Sequence, residues 1–546
     1  MHAYARNTRI RHIGMTATVL AALSALTACG AASGGSQAGG GGGSSAAASG
    51  GTLVVDSAYV FTSKDADPAR GGVDFTAVPV FHALYDTLVT FANNDYTTPA
   101  PSLATSYTAT NNDKTFTFTL RKGVKFSNGD PLTASDVVFS FLRVQNLEDT
   151  PSYLMDGVTS VTAPNPSTVV MTTSTPDPAL PYVLTNPAMG ITDAKQVEAH
   201  GGTDAANASK TDTATSWLDA NSVGTGPYVL KSFSASGRVE LTANPNYWGP
   251  DKPHFQTVVY SAVDPSTQAL DIQRGSDDVA LDIPTTQANG MKSQSSLAVQ
   301  LFSSPISDFL FVSDKPSVSK VTANPDIQNA IRYGLDYAGL VSLAGPGSVR
   351  AAGIVPPGFL GALTASQAVA TNTAKAKQYV AASGIKNPSI TLSYVTGTSA
   401  LVPVLASRIQ SSLGQIGITV TLNPQSSIVG VQDYRGGQDQ MGLFNWAPDY
   451  PDPNDYLAFA PGGTVGLRAG WPATSAPSLA TEAATTGAMG SNSARGAGFV
   501  ALQQALNTQS PIYPLVFPGE SIVSSSNLTG VQFSSVWYVD FAAIAG

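Results

Sequence analysis

Residues 401–453 read LVPVLASRIQSSLGQIGITVTLNPQSSIVGVQDYRGGQDQMGLFNWAPDYPDP. Leu401, Leu405, Ile409 and Leu413 recur every fourth residue, which places them on one face of a helix. Ile418, Val420 and Leu422 then alternate with polar residues, the period of a half-buried strand. A second strand, about Met441 to Trp446, opens into the loop Ala447-Pro448-Asp449-Tyr450-Pro451-Asp452-Pro453. Helix and strand in close succession predict an α/β body. In open α/β sheets the crevice beyond the carboxyl ends of the strands is where ligands bind, so this loop is the first place to expect a site.

The same alternation extends in both directions without a fixed repeat. Thr115 to Leu120 reads Thr-Phe-Thr-Phe-Thr-Leu, a period-two strand, and Asn128-Gly129 supplies hairpin turn chemistry. Thr133 followed by Asp136 resembles a capping box with Asp in place of Glu, and Val137, Val138, Phe141 and Leu142 form the buried side of the helix it opens. Asn324-Pro325 is a cap with proline at the first helical position. Ile327, Ile331 and Leu335 then predict a helix ending near Gly339.

The amino-terminal region is of another kind. Arg6, Arg9 and Arg11 precede an apolar stretch, residues 14–28, that is too short to span a bilayer, and Leu26-Thr27-Ala28-Cys29-Gly30 follows. This is the order of an export signal, and the placing of Cys29, the only cysteine, resembles a bacterial lipobox. Residues 1–28 are therefore expected to be a lipoprotein signal peptide. Residues 29–50, almost entirely Gly, Ala and Ser after the cysteine, are expected to be a flexible leash behind a lipid-bearing Cys29. The expected location is the cell membrane, lipid-anchored on its extracellular face, or on its periplasmic face where there are two membranes.

The chain has 28 basic and 37 acidic residues, and losing the three arginines leaves 25 against 37, a net charge of −12. That balance argues against a nucleic-acid partner. Of five histidines, His2 and His12 lie in the signal, and His82, His200 and His254 stand far apart, so no zinc site is expected. Gly224-Thr225-Gly226 is too short for a dinucleotide fingerprint. Ser317-Val318-Ser319-Lys320 matches Ser-x-x-Lys, with no Lys-Thr-Gly downstream to accompany it. No catalytic residue, metal or cofactor is expected, and the chain is not read as an enzyme.

Several stretches together resemble the extracellular solute-binding proteins of family 5, the oligopeptide and dipeptide receptors of ATP-driven importers. They are Leu84-Tyr85-Asp86-Thr87-Leu88-Val89, Pro101-Ser102-Leu103-Ala104, and the run from Phe118 to Gly129 followed by Leu132 to Val137. Gly224-Thr225-Gly226-Pro227-Tyr228, Asn244-Pro245-Asn246-Tyr247-Trp248-Gly249, Ile354-Val355-Pro356-Pro357-Gly358 and Trp446 to Pro453 complete the set, in the family's order. Gly226-Pro227-Tyr228 is read as a turn between lobes and Asn246-Tyr247-Trp248 as an aromatic cluster against a turn, both structural.

The resemblance implies a periplasmic-binding-protein-like fold, type II and three-domain, with two lobes and a hinge. One lobe is expected from residues 51–89, 224–302 and 504–546, the other from 303–503, and an extra domain from 90–223. It also implies that Asp449, in Trp446-Ala447-Pro448-Asp449, holds a peptide's terminal ammonium, with Trp446 and Asn445 as walls and Asp452 shaping the turn. The alternative for Asp449 is a loop cap. A first strand over residues 53–61 is expected to offer an edge to the peptide backbone through Tyr59, Val60 and Phe61, and the alternative for Val60 is core. The implied partners are a peptide or other small solute and a membrane permease, with the receptor a monomer. A metal chelate, a glycoside or an opine is the alternative cargo, and a surface sensor the alternative role.

Overall fold

A computed structural model describes residues 50–59, 61, 66–71, 78–92, 95–234, 237–250, 252–397 and 399–546. The expected signal peptide, Cys29, the leash up to residue 49 and Val60 lie outside the described residues. No described helix is long and apolar enough to cross a membrane.

Two mixed sheets carry the body. The first has seven strands in the order Leu297–Ser303, Gly519–Ser525, Val279–Ala280, Thr52–Ser57, Thr257–Ala262, Arg238–Ala243 and Tyr228–Phe233. The second has six, in the order Val349–Arg350, Ile512–Phe517, Ser307–Val312, Met441–Trp446, Ser389–Val395 and Thr419–Gln425. Both faces of the second sheet are covered. Leu310, Val312, Leu392, Met441 and Leu443 pack on one side with Ile327, Ile331, Leu405, Ile409 and Leu413 from helices. Phe309 and Phe311 pack on the other with Tyr456, Phe459 and Phe499. Burial on both faces explains why Ser307–Val312 reads as an almost continuous apolar run.

Helix Leu401–Gly414 and strand Met441–Trp446 fall where the periodicity predicts. The capping box at Thr133 forms, with Asp136 Oδ2 accepting from the Thr133 amide at 2.8 Å and hydroxyl at 2.7 Å. It opens helix Ala134–Leu147, whose Val137 and Phe141 are fully buried. Gly224 and Gly226 are structural: a Cβ on either would come within 2.1 and 2.5 Å of the carbonyl oxygens of Leu84 and Ala83 respectively. Trp248 donates to Asp86 at 2.7 Å and lies under the Arg121 guanidinium.

Three expectations are corrected. The helix expected to end near Gly339 is two helices, Pro325–Gly334 and Tyr337–Ala344. Leu335 is extended, and the Asp336 carboxylate caps the second helix by accepting from the Gly339 amide at 3.0 Å. The first strand ends at Ser57. It pairs with Thr257–Ala262 along its whole length on one side and with Val279–Ala280 on the other, so it is interior at Val55 and Asp56 and offers no free edge there. The strand Ile512–Phe517 pairs antiparallel with Ser307–Val312 in the second sheet, so the carboxyl-terminal segment joins the first sheet only from Gly519.

The chain crosses between the sheets twice among the described residues, from Ser303 to Ser307 and from Phe517 to Gly519. The two crossings are laced together by the Ser304 amide donating to the Pro518 carbonyl at 2.7 Å. Residues 90–223 carry a separate antiparallel sheet, Ala104–Thr110, Thr115–Leu120, Thr168–Thr173 and Val158–Asn165, against helix Ala134–Leu147.

Candidate functional site: a cleft between the sheets

Three neighbouring strands of the second sheet, Ser389–Val395, Thr419–Gln425 and Met441–Trp446, run parallel, so their carboxyl ends converge. Val395, Ser427 and Asn445, at or just past those ends, line a hollow of about 750 Å³ with Asp308, Val402, Val431, Leu443 and Phe444. Asp308, Val402 and Asn445 also line a larger cleft of about 1290 Å³, open to solvent. Its other wall comes from the first-sheet side and the crossings, through Tyr59, Thr285, Ser304, Pro518 and Glu520.

Strand pairing explains the polar floor. Across the antiparallel pair, Val312 faces Met441, Leu310 faces Leu443 and Asp308 faces Asn445. Alternate residues share one face, so two apolar rungs end in a polar one. A bulge against Ile512–Phe517 falls between Asp308 and Phe309, the kind of irregularity that re-aims a side chain. Asp308 is 5% exposed and burial pushes its carboxyl up to about 7. Glu520 is pushed up to about 7 as well, chiefly by burial, against hydrogen bonds with Ser304 and Tyr538.

The expected site residues divide. Tyr59 and Asn445 line the large cleft. Trp446 ends its strand, donates from Nε1 to Asp455 Oδ2 at 2.8 Å and meets Phe459 edge-on at 5.6 Å. Asp449 lines a separate, small hollow with Val78, Asn186, Pro187, Ser535 and Val536. Its backbone carbonyl accepts from Asn186 Nδ2 at 2.6 Å, and its carboxyl meets the Tyr153 hydroxyl and Asp455. Burial raises both Asp449 and Asp455, and the charge of the neighbouring Asp449 raises Asp455 further. Asp452 does shape the turn, accepting from the Asn454 amide at 2.9 Å while Arg495 donates to it at 2.6 Å, both side chains fully buried. Phe61 is a correction: it is 1% exposed and packs against Phe81 and Phe233 in the core under the first sheet, so it meets no solute.

Sequence reasoning missed Asp308, Glu520, Tyr153 and Asp455. Asp308 alone left a signal, a carboxylate at the head of the apolar run Phe309-Leu310-Phe311-Val312. Also unforeseen is a trio of carboxylates, Asp56, Asp271 and Asp277, with one oxygen of each within 4.8 Å of the others. Burial and the neighbouring Asp277 push Asp56 up to about 8.

Two lobes built on separate sheets, joined by two short crossings and enclosing a cleft at strand ends, define a hinged binding protein. The chain belongs to the bacterial extracellular solute-binding proteins, family 5, whose family description matches residues 98–466. It is 29% identical over 399 residues to DdpA of Escherichia coli, a periplasmic protein named for D,D-dipeptide binding, covering 68% of this chain and 74% of that one. It is 24% identical to di/tripeptide-binding protein 2 of Pseudomonas aeruginosa, over 88% of this chain and 92% of that one. The solved structure of DppA from Helicobacter pylori, in complex with the peptide STSA, superposes with a TM-score of 0.72 at 21% identity, covering 91% of this chain and 98% of that one.

Proposed function

We propose that this protein captures peptides outside the cytoplasmic membrane and delivers them to an ATP-driven permease, tethered meanwhile by lipid on Cys29. The observation that carries the reading is Asp449, set in the loop beyond strand Met441–Trp446, its carboxyl lifted by burial beside Tyr153 and Asp455 and no basic side chain among the described residues that line the hollow it borders. A carboxylate that burial lifts gains most from a counter-charge, and a peptide's terminal ammonium supplies one. Relatives named for dipeptide and di/tripeptide binding support the same cargo. Closure of the two lobes about the crossings 303–307 and 517–519 excludes water from the bound solute, and the closed form is the one the permease reads.

The test pairs a variant with a modified ligand. Asp449→Asn should weaken peptide binding by roughly 30-fold to several thousand-fold, the equivalent of about 2 to 5 kcal/mol for removing one partner of a buried charge pair. N-acetylation of the peptide should do comparable harm to the unaltered protein, and the two losses should not add. An acetylated peptide that binds as well as the free one removes the ammonium from the site and the peptide from the assignment. Membrane fractionation of the unaltered chain against Cys29→Ser tests the tether, and a chain found free in the medium with its amino terminus beyond Cys29 sinks it.

A further inference from the structure

Asp308 has no counter-charge among the described residues. Among the described residues its carboxylate makes no hydrogen bond and no ion pair, although the residue is 95% buried. Its strand neighbours give it nothing: Asn445 lies across one pairing and Val516 across the other. It lies where the 750 Å³ hollow meets the 1290 Å³ cleft, lining both. Among the described residues no Lys, Arg or His lines either space, and the other acidic residue lining them is Glu520, one of whose carboxylate oxygens is buried without a partner. A buried carboxylate left unpaired is costly, and that cost vanishes when a ligand brings the opposite charge.

The hollow beside Asp308 specifies the shape of that ligand. Val395, Val402, Val431, Leu443 and Phe444 give it apolar walls, with Asp308, Asn445 and Ser427 as polar groups. Apolar walls ending at a carboxylate suit a group with an aliphatic stem and a cationic tip, since the stem can stay dry while the tip is paired.

We propose that this hollow is a specificity subsite for a basic side chain of the bound peptide, with Asp308 receiving the ammonium of lysine or the guanidinium of arginine. The proposal rests on the peptide reading above but concerns a different charge from the terminal ammonium assigned to Asp449. The lack of a basic side chain among the described residues lining the cleft points the same way, because the charged groups an acidic peptide side chain would meet there are Asp308 and Glu520, which repel it.

Calorimetric titration of the full chain with tripeptides that differ at one residue tests this. At the best position, lysine should bind about ten- to a hundredfold more tightly than norleucine, which keeps the stem and drops the charge. Glutamate there should bind worst. Asp308→Asn, which keeps the shape, should erase the gap between lysine and norleucine while both peptides still bind measurably. Equal binding of lysine and norleucine peptides to the unaltered protein overturns the proposal, and so does a lysine preference that survives Asp308→Asn. If no peptide binds, the peptide reading fails by itself and 1,5-diaminopentane becomes the probe. Binding of that diamine, lost in Asp308→Asn, would keep the subsite for a non-peptide cation; no binding of it either would end the proposal.

Discussion

Arg143 should be the most costly single charge to remove from this protein. Its side chain is 1% exposed and donates four hydrogen bonds: to Asp67 Oδ1 at 2.7 Å and Oδ2 at 2.6 Å, and to Asp212 Oδ2 at 2.8 Å and Oδ1 at 3.1 Å. The side chains of Asp67 and Asp212 are fully buried, and Arg70 offers only longer contacts to them, at 3.8 and 3.4 Å. Arg143→Met keeps the stem and leaves two buried carboxylates short of their principal partner. Breaking a buried pair costs about 3–5 kcal/mol, much of it from the charge left behind.

Unfolding entropy of about 2.1 cal/mol/K per residue, summed over a body of this size, gives about 1 kcal/mol/K, so the melting temperature should fall by about 3–5 °C. The pH dependence separates this cause from lost packing. Burial pushes the Asp212 carboxyl up, but the hydrogen bonds and charge of Arg143 outweigh it and hold the group below its ordinary range. Its contribution is therefore present at neutral pH and lost as pH falls through the folded value. In Arg143→Met the orphaned carboxyls rise instead and take up protons at mild acidity, which relieves the penalty. Differential scanning calorimetry at pH 7.5 and pH 5 should show the gap between variant and unaltered protein narrowing at pH 5. A gap of under about 1 °C, or one that is the same at both values, refutes the reasoning.

Two further outcomes can be checked by the same melting experiments. Asp136→Ala removes the acceptor for the Thr133 amide and hydroxyl and for the Ala194 amide at 3.2 Å, and should cost about 1–2 kcal/mol; an unchanged melting temperature would show the capping box to be idle. Asp308 and Glu520 have folded values near 7 and unfolded values near 4, so between these the folded state holds the extra protons and stability of the unliganded chain falls as pH rises. Asp308→Asn should remove part of that slope, and a slope left unchanged would show that Asp308 ionises freely in the fold.

Most of the architecture was legible because it depends on local periodicity. The fourfold spacing from Leu401 to Leu413, the alternation from Thr115 to Leu120 and the cap at Thr133 each specify an element by neighbours in sequence. What escaped depends on pairings that periodicity does not encode. Ile512–Phe517 is apolar whichever sheet it joins, so its place in the second sheet could not be read from composition. The break at Leu335 hides inside an apolar repeat that continues across it, and only the Asp336 side chain, acting as a cap, ends one helix and starts the next. The first strand stops at Ser57, and Asp282 accepts from the Ser57 hydroxyl and the Ala58 amide just there, a contact across 224 residues or more. Phe61 illustrates the opposite error, since an apolar residue beside an expected binding edge is equally at home in the core.

The site shows the same division at closer range. The loop beyond Trp446 was marked by its place after a strand, and Asn445 came with the family resemblance. Asp308 enters the cleft from a strand more than a hundred residues earlier, because antiparallel pairing sets it opposite Asn445. That pairing also explains how one short strand borders two separate hollows. Asn445, one residue before the strand's end, belongs to the rung that Asp308 completes, while the backbone continues past Trp446 to carry Asp449 into a second hollow against Asn186 and Val536. Trp446 stands between the two, tied to Asp455, which also meets Asp449. The sheet end thus presents acidic groups at two separated places and no base among the lining residues of either. On the two proposals above, a ligand with two cationic groups, a terminal amine and a basic side chain, satisfies both.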